Sequence, residues 1–343
     1  MHELLNTLYV LTQGALLHLD SDTVRVTVDG ETTLRAPLLR LDGIVVFGRV
    51  TVTPFLIQRC AADGRGLVWL DRRGRFAARA EGPLRGNVLL RRAQHLALSD
   101  PDQPWRIARQ IVAGKVQNSR AQVLRAARDA SSTDARRALR QAAEDMADGL
   151  RRLRDADDLD GIRGEEGLAA RTYFGVFEHM IRGDKPTFAF DRRTRRPPRD
   201  PVNAALSFLY ALLHAECAGA AEGVGLDPQV GYLHALRPGR PALVLDLMEE
   251  LRPLAVDRLV LTLINRRQLK ADDFEQLPAG AVHLNDDGRR KVIAAYQRRK
   301  EVETPHRVLK RKVPLGLVPH VQARLLARHL RGDLRDYPPF LAD

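Results

Sequence analysis

The spacing of apolar residues changes about a quarter of the way along the chain. Before residue 85, short apolar runs rich in β-branched side chains are separated by Asp-Gly pairs at 29–30, 42–43 and 63–64. Runs of this kind between turn-forming pairs are typical of β-strands. The predicted strands are Thr7–Thr12, Ala15–Leu19, Thr23–Val28, Ile44–Phe47, Gly66–Leu70 and Phe76–Arg79, with a hairpin tip at residues 72–75.

One helix is predicted inside this β-rich part, over Phe55–Asp63. Thr53 has a side chain suited to the N-cap, and Pro54 suits the first helical position because its fixed φ is helical. Gly64 suits the left-handed residue that commonly follows a helix.

Beyond a hinge predicted at residues 82–87, the apolar spacing becomes helical. A proline at 253 is expected to kink or split the fifth of the predicted helices. These helices are Gln103–Arg128, Ser132–Arg154, Glu165–Ile181, Pro201–Ala221, Ala242–Asn265, Asp286–Arg299 and Val318–Gly332. We therefore expect an α+β protein with a small N-terminal β-sandwich-like domain that carries one short helix (1–85), a linker (86–97) and a larger all-α domain (98–343).

The chain is strongly basic, with a net charge of +12 over 343 residues. Seven of its 55 basic residues are Lys and the other 48 are Arg. Arg presents a planar fork that matches phosphate. GC-rich coding is an equally good explanation of the Arg excess, but it does not explain the net charge. The charge therefore favours a polyanionic partner, above all nucleic acid.

Two cysteines far apart in the sequence, Cys60 and Cys217, provide neither a cysteine zinc site nor a disulfide framework. The N-terminal residues lack a secretion signal, and no segment approaches the ~20 apolar residues that span a bilayer. We therefore expect a cytoplasmic protein without a membrane partner.

Glu166 is a candidate for chemistry because its predicted helical neighbours are apolar. In a helix beginning near Gly164, Glu166 lies in the first turn, where the helix dipole favours its charge. Its neighbour Glu165 is offset by about 100° and is expected to face solvent. An ordinary first-turn glutamate remains an alternative. The residues four, seven and eleven positions after Glu166 are Ala170, Tyr173 and Phe177.

A histidine and a group of carboxylates are the other candidates. His234 ends a short apolar stretch, where it either projects into a cleft or is a hydrogen-bonded structural histidine. Asp246 lies three and four positions before Glu249 and Glu250, so a helix places it on one face with both. The surrounding leucines argue against a freely solvated acidic face. Carboxylates this close repel one another unless they share a proton or a cation.

The segment 192–199, Arg-Arg-Thr-Arg-Arg-Pro-Pro-Arg, is predicted to be a basic loop stiffened by two prolines. A solvated linker is one interpretation, and contact with phosphate is the one that we favour. The candidate residues for contact with nucleic-acid phosphates are Arg85, Arg91, Arg192, Arg193, Arg195, Arg196 and Arg199.

An ordered set of motifs adds more than spacing does. The sequence resembles, essentially end to end, the CRISPR-associated spacer-acquisition integrases, and in particular the form that accompanies type I-C systems. The motifs that carry the resemblance are Leu4–Val10, Gly86–Gln94, Gly164–Phe174, Arg195–Ala204, Gly231–His234, Leu245–Pro253 and Ala327–Asp333.

The resemblance implies a function and a set of site residues. The family's two acidic metal ligands and its histidine match Glu166, Glu249 and His234, and Asp246 matches an accessory carboxylate. Asn203 and Tyr210 match positions near the family's active cleft. The implied reaction is a metal-dependent transesterification, with Mn²⁺ or Mg²⁺, in which a 3′-hydroxyl of a DNA fragment attacks a phosphodiester at the edge of a CRISPR repeat.

The implied partners are double-stranded DNA, a second copy of the chain in a homodimer, and a small ferredoxin-like CRISPR adaptation protein. Two alternatives remain open. A structure-selective nuclease for branched DNA would use the same residues, and a basic DNA-binding scaffold would not need them.

Overall fold

A computed structural model describes residues 6–72, 74, 76–80, 82, 88–278 and 280–342. The chain divides into two compact units, Met1–Gly86 and Asn87–Asp343. The first unit is built from strands, and the second, larger unit is mainly helical. This order of a β-rich and a helical part confirms the predicted α+β class.

In its described residues, the first unit contains two four-stranded sheets and one α-helix. In one sheet the order is β1-β5-β7-β8, where β1, β5 and β7 run parallel and β8 is antiparallel to β7. In the other the order is β4-β3-β2-β6. The elements are β1 (Asn6–Val10), β2 (Leu16–Asp20), β3 (Thr23–Val28), β4 (Glu31–Pro37), β5 (Leu41–Phe47), β6 (Thr51–Val52), α1 (Pro54–Asp63), β7 (Gly66–Leu70) and β8 (Phe76–Ala80).

Alternate side chains of these strands form the core of the unit. Leu17 of β2 and Val24 of β3 are fully buried, as are Val46 of β5 and Leu67 of β7. Leu56 of α1 packs into the same core. This period-two burial explains why the sequence predicts these strands correctly.

Two strands of this unit escaped prediction for a physical reason. The side chains of β4 are almost all exposed, so no apolar alternation marks it, and β6 is only two residues long. The predicted α1 is confirmed, and Gly64 adopts the left-handed conformation at φ 71°. Thr53 holds the N-cap position, but its hydroxyl makes no capping hydrogen bond.

The second unit adds nine helices in its described residues. They are α2 (Val88–Ser99), α3 (Gln103–Asp129), α4 (Thr133–Asp155), α5 (Leu159–Gly175), α6 (Pro201–Val224), α7 (Ala242–Glu249), α8 (Arg258–Asn265), α9 (Asp286–Glu301) and α10 (Val318–Leu330). The second unit also contains two antiparallel ribbons that were not predicted, so it is mainly helical rather than all-α. They are β9 (Phe274–Gln276) with β10 (Val282–Leu284), and β11 (Glu303–His306) with β12 (Arg311–Pro314). Strands of three or four residues are too short to show a period in the sequence.

Residues 88–97, which we assigned to the linker, belong to α2. Leu90 and Gln94 are the buried positions of α2 and lie four residues apart on one helical face. The Gln94 side chain accepts a hydrogen bond from Asp227 N and donates to the carbonyl oxygens of Asp227 and Val230. These bonds tie α2 to the second unit.

The helix that carries Glu166 begins earlier than predicted. The Asp158 carboxylate caps it by accepting a hydrogen bond from Gly161 N, and α5 runs from Leu159. The prediction near Gly164 missed this cap because glycines at 161, 164 and 167 weaken the helical signal. Glu166 therefore lies in the third turn, where the helix dipole does not explain its charge.

The most apolar helix, α6, forms part of the core. Among the described residues, it is the one helix that is long and apolar enough to span a membrane. We expected no segment of this kind. Within the protein, 61% of that apolar window is buried. Asp200 caps α6 by accepting a hydrogen bond from Asn203 N, and Pro201 occupies the first turn.

The predicted helix Ala242–Asn265 is split, as expected from Pro253. Proline cannot donate the hydrogen bond that would continue α7, and a π-helical turn over Arg252–Asp257 connects α7 to α8. The wider turn places Arg252 and Asp257 beside the end of α7.

The C-terminal segment packs behind α7 and binds the buried Glu250. The Glu250 carboxylate accepts hydrogen bonds from Tyr337 Oη (2.7 Å), Gln322 Nε2 (2.9 Å) and Phe340 N (2.6 Å). Asn118 of α3 donates to the carbonyl oxygens of Glu250 and Phe340. Burial raises the pKa of Glu250 to about 8, although these hydrogen bonds oppose the rise.

We expect Glu250→Gln to remove a loss of stability that the wild type shows as pH rises from 4.5 to about 8. The folded-state pKa of Glu250 lies above its ordinary value of 4.5, so its stabilising contribution is complete below pH 4.5 and is lost as pH rises through about 8. Between pH 6 and 8, the wild-type free energy of unfolding should fall relative to that of Glu250→Gln by about 1 kcal/mol per pH unit. Urea denaturation measures this difference. The exposed Glu144→Gln is the control, and parallel pH profiles for wild type and Glu250→Gln would contradict the prediction.

Candidate active site

A cleft of about 820 Å³ in the second unit brings together the three principal site residues. Helix α5 contributes Glu166, α7 contributes Glu249, and the segment before α7 contributes His234. The shortest contact between Glu249 and His234 joins Oε1 and Nε2 at 3.9 Å. Glu249 is almost completely buried, whereas the side chains of Glu166 and His234 remain 28% and 21% exposed to the cleft.

Lys115 of α3 joins the two glutamates. Its ammonium contacts Glu166 Oε1 in a short hydrogen bond and lies 2.5 Å from Glu249 Oε2. Arg252 Nε donates to the other oxygen of Glu249 at 3.0 Å. Each carboxylate therefore faces at least one positive charge in a setting where an isolated charge is costly.

The charges of this cluster control one another's ionisation. Burial works to raise the pKa of Glu249, but the charges of Arg252 and Lys115 outweigh it and hold the pKa at about 2. Burial also works to lower the pKa of Lys115, and the charges of Glu249 and Glu166 raise it instead. Glu249 is thus an anion, and Lys115 a cation, at neutral pH.

Asp246 lies behind His234 and fixes its ring. One carboxylate oxygen lies 2.7 Å from His234 Nδ1 and accepts from His234 N, and the other accepts from the backbone N–H groups of Tyr232 and Leu233. Because an ionised carboxylate only accepts hydrogen bonds, Nδ1 must carry the hydrogen. The lone pair of Nε2 is then available to the cleft.

The backbone before His234 approaches α7 too closely for any side chain at position 231. A Cβ added to Gly231 would lie 2.5 Å from Ala242 C and 2.7 Å from both Leu243 N and Asp246 Oδ2. The glycine of the Gly-Tyr-Leu-His motif therefore allows three consecutive N–H groups, at 232–234, to reach the buried Asp246 carboxylate.

Glu165 and Glu250, the neighbours of the two cleft glutamates, point elsewhere. Glu165 forms a bidentate pair with Arg152 of α4, at 2.7 and 2.9 Å, and its side chain is only 19% exposed. The expectation that Glu165 faces solvent is therefore wrong, since α4 covers that side of α5. Glu250 faces the C-terminal segment, and a helical step of about 100° separates it from Glu249.

A second cluster in the cleft surrounds Tyr210. Its hydroxyl donates to the buried Asp257, and the guanidinium groups of Arg252 and Arg193 lie 4.7 and 5.4 Å from its ring centroid. Burial raises the pKa of Asp257 to about 6, against the hydrogen bonds from Tyr210 and Tyr173 and the charge of Arg252. Tyr210 therefore anchors two arginines on one wall of the cleft.

The predicted DNA-binding arginines occupy different positions. Arg193, Arg195 and Arg196 line the cleft, whereas Arg192 and Arg199 are exposed on the same loop. Arg91 lies on α2, and Arg85 lies outside the described residues.

Asn203 holds the start of this loop in place through hydrogen bonds. It is fully buried, accepts hydrogen bonds from Arg193 Nη1 and Thr194 N, and donates to Arg192 O. Asn203 thereby fixes the start of the basic loop.

The donor atoms of the cleft are of the types that bind a divalent cation, but Lys115 would have to move before the glutamates could bind one. An imidazole nitrogen and carboxylate oxygens suit Mn²⁺, and Mg²⁺ to a lesser extent. Glu249 Oε2 is buried, and the Lys115 ammonium lies 2.5 Å from it. In the described part of the chain, no three His, Cys, Asp or Glu side chains form a ready-made metal group, and Lys115 lies between two of the donors.

Lys115, Arg252 and Asp257 were missed as site residues, although the sequence holds a signal for the first. Ile111 and Val112 lie four and three residues before Lys115, so a helix places this charge beside two apolar side chains. The same reasoning pointed to Glu166. Arg252 and Asp257 gave no periodic signal because a π-helical turn carries them.

The fold and this cleft define a class: a basic α+β protein whose helical unit presents carboxylates and an imidazole beside arginines. The profile of the family described as "CRISPR associated protein Cas1" matches residues 8–298. A CRISPR-associated endonuclease Cas1 of Moorella thermoacetica is 56% identical over 341 residues, which cover 99% of each chain. This chain belongs to the Cas1 family.

Two solved structures share the fold. A casposase bound to integration product gives a TM-score of 0.83 at 24% identity, covering 97% of this chain and 92% of the other. A Cas6-RT-Cas1–Cas2 complex gives 0.83 at 23% identity, covering 99% of this chain and 36% of the other.

Asp246→Asn should reverse the tautomer of His234. An amide in place of the carboxylate should direct its NH₂ group at Nδ1, because the opposite orientation would set that group against the N–H donors of both Tyr232 and Leu233. Nδ1 would then lose its hydrogen to Nε2. We expect about 1–3 kcal/mol lower stability from the unsatisfied buried donors, measured by urea denaturation. Nitrogen NMR of the imidazole reports the tautomer. Asp160→Asn, at an exposed site on α5, should change neither, and an unaltered tautomer in Asp246→Asn would refute the role of Asp246.

Proposed function

We propose that this protein is a divalent-metal-dependent DNA endonuclease and integrase that inserts DNA fragments into a CRISPR repeat array. The observation that carries the proposal is the meeting of Glu166, Glu249 and His234 in one arginine-bordered cleft of a Cas1-family chain. The endonuclease name of the Moorella relative and the integration product bound to the structurally similar casposase support it.

The proposed reaction exchanges one phosphodiester for another. A 3′-hydroxyl of the fragment attacks phosphorus at the edge of the repeat, a new P–O bond forms, and the 3′-oxygen of the repeat strand leaves with a proton. No energy source is needed because the bond broken and the bond formed are of the same kind. Water in place of the 3′-hydroxyl gives hydrolysis instead.

Glu166, Glu249 and His234 would hold the metal ion. When bound, a divalent cation supplies Lewis-acid stabilisation of the charge that develops on a phosphoryl group. The protein contributes the orientation: Asp246 keeps the Nε2 lone pair of His234 facing the cleft. Mn²⁺ is the better match to a donor set that includes an imidazole, and Mg²⁺ is the alternative.

The arginines would hold the DNA backbone. Arg193, Arg195 and Arg196 border the same cleft as the three candidate ligands. Guanidinium groups bind phosphate oxygens without reading sequence, so they would position the duplex at the reacting residues. Arg193 is fixed by Asn203 Oδ1 at 2.6 Å and Ser207 Oγ at 3.0 Å, which makes it a rigid part of that surface. DNA binding of this kind weakens steeply with salt.

The type I-C-like subtype and the assembly are further parts of the proposal. The ordered motifs from Leu4–Val10 to Ala327–Asp333 support the subtype. The complex of Cas1 with Cas2 in a structure of the same fold supports a small adaptation protein as partner. We propose a homodimer that joins this partner, of ferredoxin-like fold, on double-stranded DNA in the cytoplasm.

Strand transfer should depend on Glu166, Glu249 and His234 and on the metal. With Mn²⁺, a labelled fragment and a supercoiled plasmid bearing a type I-C repeat, wild-type protein and the small partner should join fragment to repeat. We expect Glu166→Gln, Glu249→Gln and His234→Ala each to lower the rate by about 100-fold or more, because Lewis-acid stabilisation contributes several kcal/mol.

Glu165→Gln is the matched control, since Glu165 is adjacent in sequence but pairs with Arg152 outside the cleft. It should retain strand transfer. Cleavage of branched DNA without any joining would favour a repair nuclease. Equal activity of all variants would favour a scaffold and refute the proposed site. Preference for an unrelated repeat over a type I-C repeat would refute the subtype.

The protein should be a dimer in solution. Light scattering at micromolar concentration should give twice the mass of the chain, and addition of the small partner should give a larger species. A monomer across that concentration range would contradict the homodimer. A dimer whose mass does not change with the partner present would contradict the proposed assembly.

A further inference from the structure

Lys115 occupies the space between the two acidic residues of the cleft. Its side chain is only 15% exposed, and its ammonium contacts Glu166 and Glu249 at once. Arg252, the other cation at this point, contacts Glu249 and stacks on Tyr210. Lys115 is therefore the group that bridges the carboxylates of α5 and α7.

A primary ammonium is well suited to this position. It is a compact point charge with three hydrogens, so it can serve carboxylates on two different helices. Without a cation between them, Glu166 and Glu249 would repel each other across a buried space. A divalent ion bound by the same oxygens would lie at close range from the ammonium, and the two positive charges would repel each other.

We propose that Lys115 is a built-in counter-ion that holds the metal-free site together and that a divalent cation must displace to bind. This inference rests on the proposed function only in assuming that the cleft takes such a cation. It assigns to Lys115 a role in setting metal affinity.

The exchange has consequences for both states of the site. In the metal-free state, Lys115 neutralises the carboxylates and links α3 to α5 and α7. In the metal-bound state the flexible four-carbon side chain carries the displaced ammonium toward the open cleft. The apparent association constant for the metal is the intrinsic constant multiplied by the fraction of molecules whose carboxylates are free of Lys115. Removing the ammonium removes that reduction.

Lys115→Met tests the inference with a neutral side chain of similar length. Titration calorimetry with Mn²⁺ alone, without DNA, should show a dissociation constant about 10-fold lower than that of wild type if the ammonium holds the site in about nine molecules of ten. Lys115→Arg keeps a competing cation and should not bind more tightly than wild type. Unchanged or weaker binding by Lys115→Met would overturn the inference.

Lys300→Met is the matched control. Lys300 is also a buried lysine, with its side chain 9% exposed and its ammonium 2.7 Å from Glu216 Oε1, but it lies outside the cleft. Loss of a buried ion pair is common to both variants, and only Lys115→Met should gain affinity for Mn²⁺. An equal gain in Lys300→Met would show a general effect and overturn the assignment.

A second measurement uses the unaltered protein, so it decides the matter even if Lys115→Met does not fold. Amine acetylation followed by mass spectrometry should label Lys115 faster with saturating Mn²⁺ than without it, while labelling of Lys300 stays constant. Unchanged or slower labelling of Lys115 would overturn the inference. If wild type and all variants fail to bind Mn²⁺ or Mg²⁺, the proposed metal site itself fails. If wild type binds and Lys115 is unaffected, only this inference fails.

Discussion

The arrangement of the cleft depends on neutralising two carboxylates, one buried and one partly buried, that face each other. Glu249 is almost fully buried, and Glu166 faces it from another helix. The ammonium of Lys115 and the guanidinium of Arg252 supply the balancing charge. Removing one partner of such a buried group leaves an uncompensated charge, which is strongly destabilising. The positions of α3, α5 and α7 are therefore linked through charge as well as through apolar packing.

The same constraint separates residues that are neighbours in sequence. Asp246, Glu249 and Glu250 are all buried, yet each has its own partners: the N–H groups of 232–234, the cations of the cleft, and the C-terminal segment. Helix α7 thus carries Asp246, which supports His234, and Glu249, a candidate ligand. Glu250, at its C-terminal end, anchors a segment 90 residues away. Each carboxylate is tolerated because donors or cations surround it.

How far the sequence predicts these features depends on the range of the interactions. Period-two burial in β3 and the proline that splits α7 from α8 are local, and both were predicted. The start of α5 was misplaced because its glycines obscure a helix that packing against α3 and α4 stabilises. Spacing alone left the choice between Glu249 and Glu250 open, and only the family resemblance pointed to Glu249. In the structure, Tyr337 and Phe340 bind Glu250 and leave Glu249 to the cleft. Such partners lie too far away in sequence for any periodicity to reveal them.

Lys115 shows what a consistent use of burial can add. The cost of a charge on an apolar helical face directed attention to Glu166. The same cost applies to Lys115, which follows Ile111 and Val112 by four and three residues on α3. Burial of a single charge is unfavourable, but two opposite charges buried side by side offset each other's cost. Buried charges on separate predicted helices are therefore best considered as pairs. On that reasoning, the basic partner of an acidic site belongs to the site as much as the ligands do, and Lys115 and Arg252 are part of the physical definition of this cleft.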